Sequence, residues 1–69
     1  MKLYIYYKNG AESEYDNVQR VKIMKYNNKN ALYIYKSDTM FTITIYLNEI
    51  KIATMYDKTT AVELFRYEK

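Results

Sequence analysis

The chain has no cysteine, histidine, proline or tryptophan, and only one glycine among its 69 residues. Without thiols or imidazoles the usual zinc, haem and iron–sulfur ligand sets are missing, and no disulfide framework can form. The missing histidine also removes the usual base of nucleophilic catalysis, and a single glycine cannot build a phosphate cradle. Ser13 and Ser37 fall in expected loops, while Glu12, Glu14 and Asp16 alternate as the solvated positions of a short strand or turn do. Catalysis is therefore not expected, and neither is a cofactor or a small-molecule substrate. No apolar run approaches the roughly 20 residues that span a bilayer. Residues 1–8 are too short and too alternating for the apolar part of a signal peptide. A cytoplasmic location with no membrane partner is the expectation.

What the chain has in abundance is tyrosine, ten residues in all. Most sit one step out of phase with aliphatic residues, as in Leu3-Tyr4-Ile5-Tyr6-Tyr7 and Leu32-Tyr33-Ile34-Tyr35. Successive side chains of a strand point to opposite sides, so such runs predict sheets with one aliphatic face and one face of phenols and cations. Asn9-Gly10 predicts a two-residue hairpin turn of the primed type between strands 2–8 and 11–15. Asp16-Asn17 predicts a bend or bulge before the pattern restarts at Val18 and alternates over 20–26. Residues 27–30 read as an asparagine-rich turn, with a return strand over 31–36 and another turn over 37–39. Residues 40–47 form the clearest strand pattern, with Phe41, Ile43, Ile45 and Leu47 on its aliphatic side. A sixth strand is expected over 50–56, leading into a turn at 57–60.

Two readings compete at the C-terminus. Thr60 and Glu63 fit a capping box ahead of a short helix. Against this, residues 56–66 echo residues 26–36 in the order of polar turn and alternating strand, which favours a seventh strand. The expected inward set is Leu3, Ile5, Val21, Ile23, Leu32, Ile34, Phe41, Ile43, Ile45, Leu47, Ile50, Ile52, Val62 and Leu64. Hairpins at this spacing predict one all-β domain, a small antiparallel barrel or sandwich of six to seven short strands. A chain this short hides only roughly 60% of its unfolded surface. With neither disulfide nor metal to compensate, association with a partner or with a second copy is a natural source of further burial.

The reverse faces then carry Lys2, Tyr4, Tyr6 and Lys8 on the first strand, Arg20, Lys22, Met24 and Tyr26 on the third, Tyr33 and Tyr35 on the fourth, and Tyr46 on the fifth. The simplest reading is cross-strand stacking on a solvated face, because tyrosine favours strands. A second reading is a protein-binding surface, since Tyr, Arg and Met are enriched at interface centres; a free strand edge would serve the same end. The third is single-stranded nucleic acid, which uses aromatic platforms interleaved with cations. The net charge of +3 permits only a few phosphate contacts, and tyrosine is spread along the chain. In general character the chain resembles the small, β-rich, cysteine-free proteins of bacteriophages and mobile elements of low-GC bacteria, many of which bind a host protein. The expectation is a noncatalytic protein-binding module or homo-oligomer with Tyr4, Tyr6, Arg20, Lys22, Tyr26, Tyr33, Tyr35 and Tyr46 at its contact surface, and nucleic acid as the alternative.

Overall fold

A computed structural model describes residues 1–68. Seven strands follow the alternating runs: β1 (Lys2–Tyr7), β2 (Glu12–Tyr15), β3 (Val18–Tyr26), β4 (Lys29–Lys36), β5 (Ile43–Tyr46), β6 (Ile50–Tyr56) and β7 (Ala61–Arg66). A 3-10 turn, Leu47–Glu49, joins β5 to β6. The C-terminal segment is a strand and not a helix: β7 completes an antiparallel sheet of order β2-β1-β6-β7, and β3-β4-β5 form a second antiparallel sheet.

Leu3, Ile5, Ile50 and Ala53 of the four-stranded sheet form one buried cluster with Val18, Leu32 and Ile34 of the three-stranded sheet. The two aliphatic faces therefore pack against each other, and the fold is an open sandwich rather than a closed barrel. Complete burial of each leucine or isoleucine here contributes about 1.5–3 kcal/mol.

The turns show how a chain almost without glycine reverses direction. Asn17, Asn27 and Asn28 all adopt positive φ, at 57°, 50° and 65°, a region that asparagine tolerates better than most residues because its short side chain bonds locally. Asn27 and Asn28 alone make the β3–β4 turn, with both central residues left-handed as a primed hairpin turn requires. The four-residue turn expected over 27–30 thus shrinks to two, and Lys29 joins β4. The reverse correction applies to the first hairpin. Tyr7 N–H bonds Ala11 C=O at 2.9 Å and Gly10 N–H bonds Tyr7 C=O at 3.0 Å, so the loop has three residues. Only Gly10 in it is at positive φ, +91°. A Cβ at Gly10 would touch nothing within 4 Å, so Gly10→Ala meets a purely conformational penalty. Urea titration should show a loss of about 1–2 kcal/mol; no loss at all would mean that the left-handed loop is not what Gly10 provides.

Three bulges reset the side-chain phase. Gln19 is unpaired between Val18 and Arg20, Lys51 between Ile50 and Ile52, and Leu64 between Glu63 and Phe65. Past its bulge, Ile52 pairs with Tyr6 on the outer face, while Ala53 takes the core position opposite Ile5. The expected inward position of Ile52 is therefore wrong. β5 is also much shorter than 40–47. Phe41 is 69% exposed and lies before the strand; the β4–β5 ladder ends at the Ile34–Ile43 pair although β4 itself runs on to Lys36. Ile23 (48%) and Val62 (53%) face inward by register but are exposed, since both lie beyond the packed centre.

Candidate functional site

The outer face of the three-stranded sheet follows from register. Across β3 and β4, Arg20 lies opposite Tyr35, Lys22 opposite Tyr33, Met24 opposite Ala31 and Tyr26 opposite Lys29. β5 adds Thr44 beside Tyr33 and Tyr46 beside Ala31. The intervening positions, Val21, Leu32 and Ile34, point to the core. Six of the eight candidates, Arg20, Lys22, Tyr26, Tyr33, Tyr35 and Tyr46, thus share one face. Tyr4 and Tyr6 do not. They lie on the outer face of the other sheet, opposite Thr54 and Ile52. Packing the aliphatic sides together turns the two reverse sides away from each other, so the single tyrosine surface expected from the sequence is divided in two.

On the six-residue face the rings are organised. Tyr26 meets Tyr33 edge-on, with centroids 6.4 Å apart at 76°, and meets Tyr46 at 6.0 Å and 42°. Arg20 stacks its guanidinium 4.5 Å above the Tyr35 ring, and the Lys29 ammonium lies 5.4 Å from that of Tyr46. Asn27 Nδ2 donates to the Tyr46 hydroxyl at 3.5 Å. Ala31 is fully buried yet lies outside the core cluster. Its neighbours in register are Met24 and Tyr46, so this outer layer of side chains is what covers it. A larger residue at 31 would push the rings apart, a role that sequence pattern does not reveal because an alanine in a strand reads as a weak core position. Lys29 escapes a sequence reading for a different reason: its place in an asparagine-rich run reads as turn. Met24 (41%) and Tyr26 (46%) remain well exposed at the rim of β3.

Charge is also sorted between the sheets. Residues 18–46 hold five cations, Arg20, Lys22, Lys25, Lys29 and Lys36, against the single acid Asp38, which is +4; the rest of the chain carries −1. The positions that register assigns to this outer face include no carboxylate. Among the described residues, Arg20, Lys22 and Lys25 make no ion pair. The outer face of the four-stranded sheet is instead self-satisfied. Tyr4 donates its hydroxyl to Glu12; that bond, with some burial, pushes its pKa up to about 12. Glu14 pushes the Tyr56 phenol up in the same way. Lys2 lies 3.8 Å from Glu14 and 3.6 Å from Asp16, and Lys51 sits 5.6 Å from the Tyr6 ring.

Elsewhere the polar chemistry is structural. Asp57 Oδ1 accepts from the Thr59 and Thr60 amides at 2.8 and 2.9 Å and from both hydroxyls at 3.1 Å, fixing the β6–β7 turn. The Thr59 amide, followed by the other three donors, lowers the Asp57 pKa from 3.8 to about 2. A carboxyl depressed on folding stabilises the fold above its unfolded pKa and loses that contribution as pH falls through the folded one. An Asp57→Asn variant keeps the acceptor but not the charge. Its melting temperature should fall below wild type above about pH 4, with the gap closing toward pH 2. A gap that does not change with pH would show that the charge contributes nothing. One surface depression is lined by Met1, Lys2, Asp16, Asn17, Tyr56, Asp57 and Lys58, a mixture of charges with no nucleophile beside a base. Among the described residues no three carboxylates are grouped to hold a metal ion, and no helix is long and apolar enough to cross a membrane.

No protein-family model, curated protein or solved structure matches the chain.

Proposed function

We propose that the chain is a noncatalytic protein-binding module whose contact surface is the outer face of the three-stranded sheet. One observation carries this reading: a single sheet face gathers four tyrosines, a methionine and three cations, with no carboxylate among them. Tyr, Met and Arg are the side chains that interface centres favour. Here the rings are braced against one another and over Ala31, so little side-chain freedom is lost on docking. The unpaired cations ask for an acidic partner surface and would speed its approach. The compositional likeness to phage and mobile-element proteins supports a cytoplasmic host protein as that partner.

The same acid-free face also supports the second reading, single-stranded nucleic acid, through phosphate contacts. Stacking is the weaker half of that reading, because Arg20 and Lys29 already lie over the Tyr35 and Tyr46 rings.

Capture from host lysate separates the readings when it uses three baits: wild type, a Met24→Ala/Tyr26→Ala variant and a Tyr4→Ala/Tyr6→Ala variant. The expected result is a protein retained by wild type and by the Tyr4/Tyr6 variant and lost by the Met24/Tyr26 variant. Equal retention by all three, or none by any, overturns the proposal. Fluorescence anisotropy with mixed-sequence single strands at low salt gives the other answer. Binding that falls steeply with added salt would assign the face to nucleic acid.

A further inference from the structure

Among the described residues four strands have one unpaired side: β2 and β7 in the four-stranded sheet, β3 and β5 in the three-stranded one. β3 is the longest, nine residues against four for β2, four for β5 and six for β7. It also differs in charge. The acids of β2 are engaged, Glu12 by the Tyr4 hydroxyl and Glu14 by Lys2, and on β7 Arg66 is tied to Glu63 at 2.7 Å. β5 has no charged residue. β3 holds Arg20, Lys22 and Lys25 and no acid, and among the described residues none of these cations makes an ion pair.

The main chain of this edge alternates in direction. Tyr26 and Lys29 close a two-residue turn whose central asparagines both have positive φ, the hairpin in which the flanking pair exchanges its main-chain hydrogen bonds. Counting back from that pair, Tyr26, Met24, Lys22 and Arg20 turn their N–H and C=O toward β4, whereas Lys25, Ile23 and Val21 turn theirs to the open side. From Lys22 to Tyr26 every residue is exposed. Free donors and acceptors in a row, with nothing packed over them, form a template for another strand.

A second copy of the chain does not fit this template. Two β3 edges bring cations together with no acid between them, which is how sheet edges resist pairing with themselves. β2 of a second copy has acids in the wrong phase. Glu12 and Glu14 turn their N–H and C=O to their own free edge while Arg20 and Lys22 turn theirs to β4, so aligned outer faces never place them opposite one another.

We infer that the open edge of β3 takes up an extended acidic segment of the partner protein as an added antiparallel strand. The main chain of that segment bonds Val21, Ile23 and Lys25. Its outer-face side chains lie opposite Arg20, Lys22, Met24 and Tyr26 in pairs that are not hydrogen-bonded, where Cα atoms approach to about 4.5 Å and side chains are closest. Carboxylates meet Arg20 and Lys22 there, a third meets Lys25 on the inner side, and apolar residues meet Tyr26, Met24, Ile23 and Val21. From its N-terminus the favoured segment therefore reads apolar, acidic, apolar, apolar, acidic, apolar, acidic. The inference rests on the outer face as the contact surface and adds the main-chain edge beside it.

A capped synthetic peptide, Leu-Glu-Leu-Val-Glu-Val-Glu, is the probe, and because no lysate is used the two readings can fail separately. In calorimetric titration at low salt the wild type and the Tyr4→Ala/Tyr6→Ala variant should bind it equally, and added salt should weaken binding. An Arg20→Gln/Lys22→Gln variant, checked as folded by circular dichroism, should bind about fivefold more weakly or worse. N-methylation of the fourth and sixth peptide residues, whose amides face β3, should cost about tenfold or more. The same change at the third and fifth, whose amides face away, should cost about twofold at most. In saturated protein the Ile23 and Lys25 amides should exchange with solvent about tenfold more slowly or less. No binding at the highest soluble peptide concentration, equal losses from the two methylated peptides, or unchanged exchange at Ile23 and Lys25 would each overturn the inference. Lysate capture that depends on Met24 and Tyr26 with no peptide binding would keep the outer face as the contact surface and remove the edge.

Discussion

Replacing Ile34 with alanine should lower the unfolding free energy by about 2–5 kcal/mol. A domain of 69 residues has only about 3–10 kcal/mol in total at roughly 0.05–0.15 kcal/mol per residue, so much of this variant would be unfolded at ambient temperature. Ile34 is fully buried on the central strand of its sheet, flanked in register by Val21 and Ile43. It also belongs to the cluster that holds the two sheets together. The cavity left by its removal has no mobile neighbour to fill it, because strand partners lie on both sides. Ile23→Ala is the control, chemically identical and on the inward side of the neighbouring strand β3, but 48% exposed. Urea titration followed by circular dichroism should place the Ile23 variant within about 1 kcal/mol of wild type. Equal losses for the two would remove the packed centre from the account of stability.

The second large effect concerns binding. With the captured protein purified, the Met24→Ala/Tyr26→Ala variant should bind about 30-fold more weakly or worse, equivalent to about 2 kcal/mol or more, which is the scale of an interface hot spot. Its melting temperature should move only slightly, because both side chains are at the rim and the core cluster excludes them. Tyr26 does brace Tyr33 and Tyr46, and those edge contacts are each worth about 0.5–1.5 kcal/mol. Calorimetric titration beside thermal unfolding distinguishes the effects. Affinity that falls only in proportion to lost stability would mean the face supports the fold and nothing more.

The two-residue rhythm carried a good deal of this architecture. It identified the strand content, placed Leu3, Ile5, Leu32 and Ile34 inside, and sent Tyr33 and Tyr35 to the reverse side of β4. Local chemistry likewise marked Asn17 as a corner. What it could not supply was partnership. Alternation looks the same in every strand, so nothing local indicates that the first strand pairs with the sixth, or that Tyr4 and Tyr33 end on opposite faces. Bulges are equally silent. An extra residue at Lys51 inverts the phase of Ile52 without changing its neighbours in sequence. Phe41 shows a third gap, because its alternating pattern continues past the point, Ile43, at which the ladder to β4 stops. The acid-free face was legible only after pairing was known, since its residues come from three strands and from a lysine that belonged on paper to a turn.

β3 is rooted at one end and loose at the other. Val18 is locked in the core, whereas Ile23, Met24 and Tyr26 stand clear of it, near a two-asparagine turn. Local opening free energy follows such differences in burial, so rigidity declines along a single strand from root to tip. Opening of β3 therefore starts at this tip, whose Tyr26 ring is held by Tyr33 and Tyr46, while the rooted end keeps Arg20 in register with Tyr35.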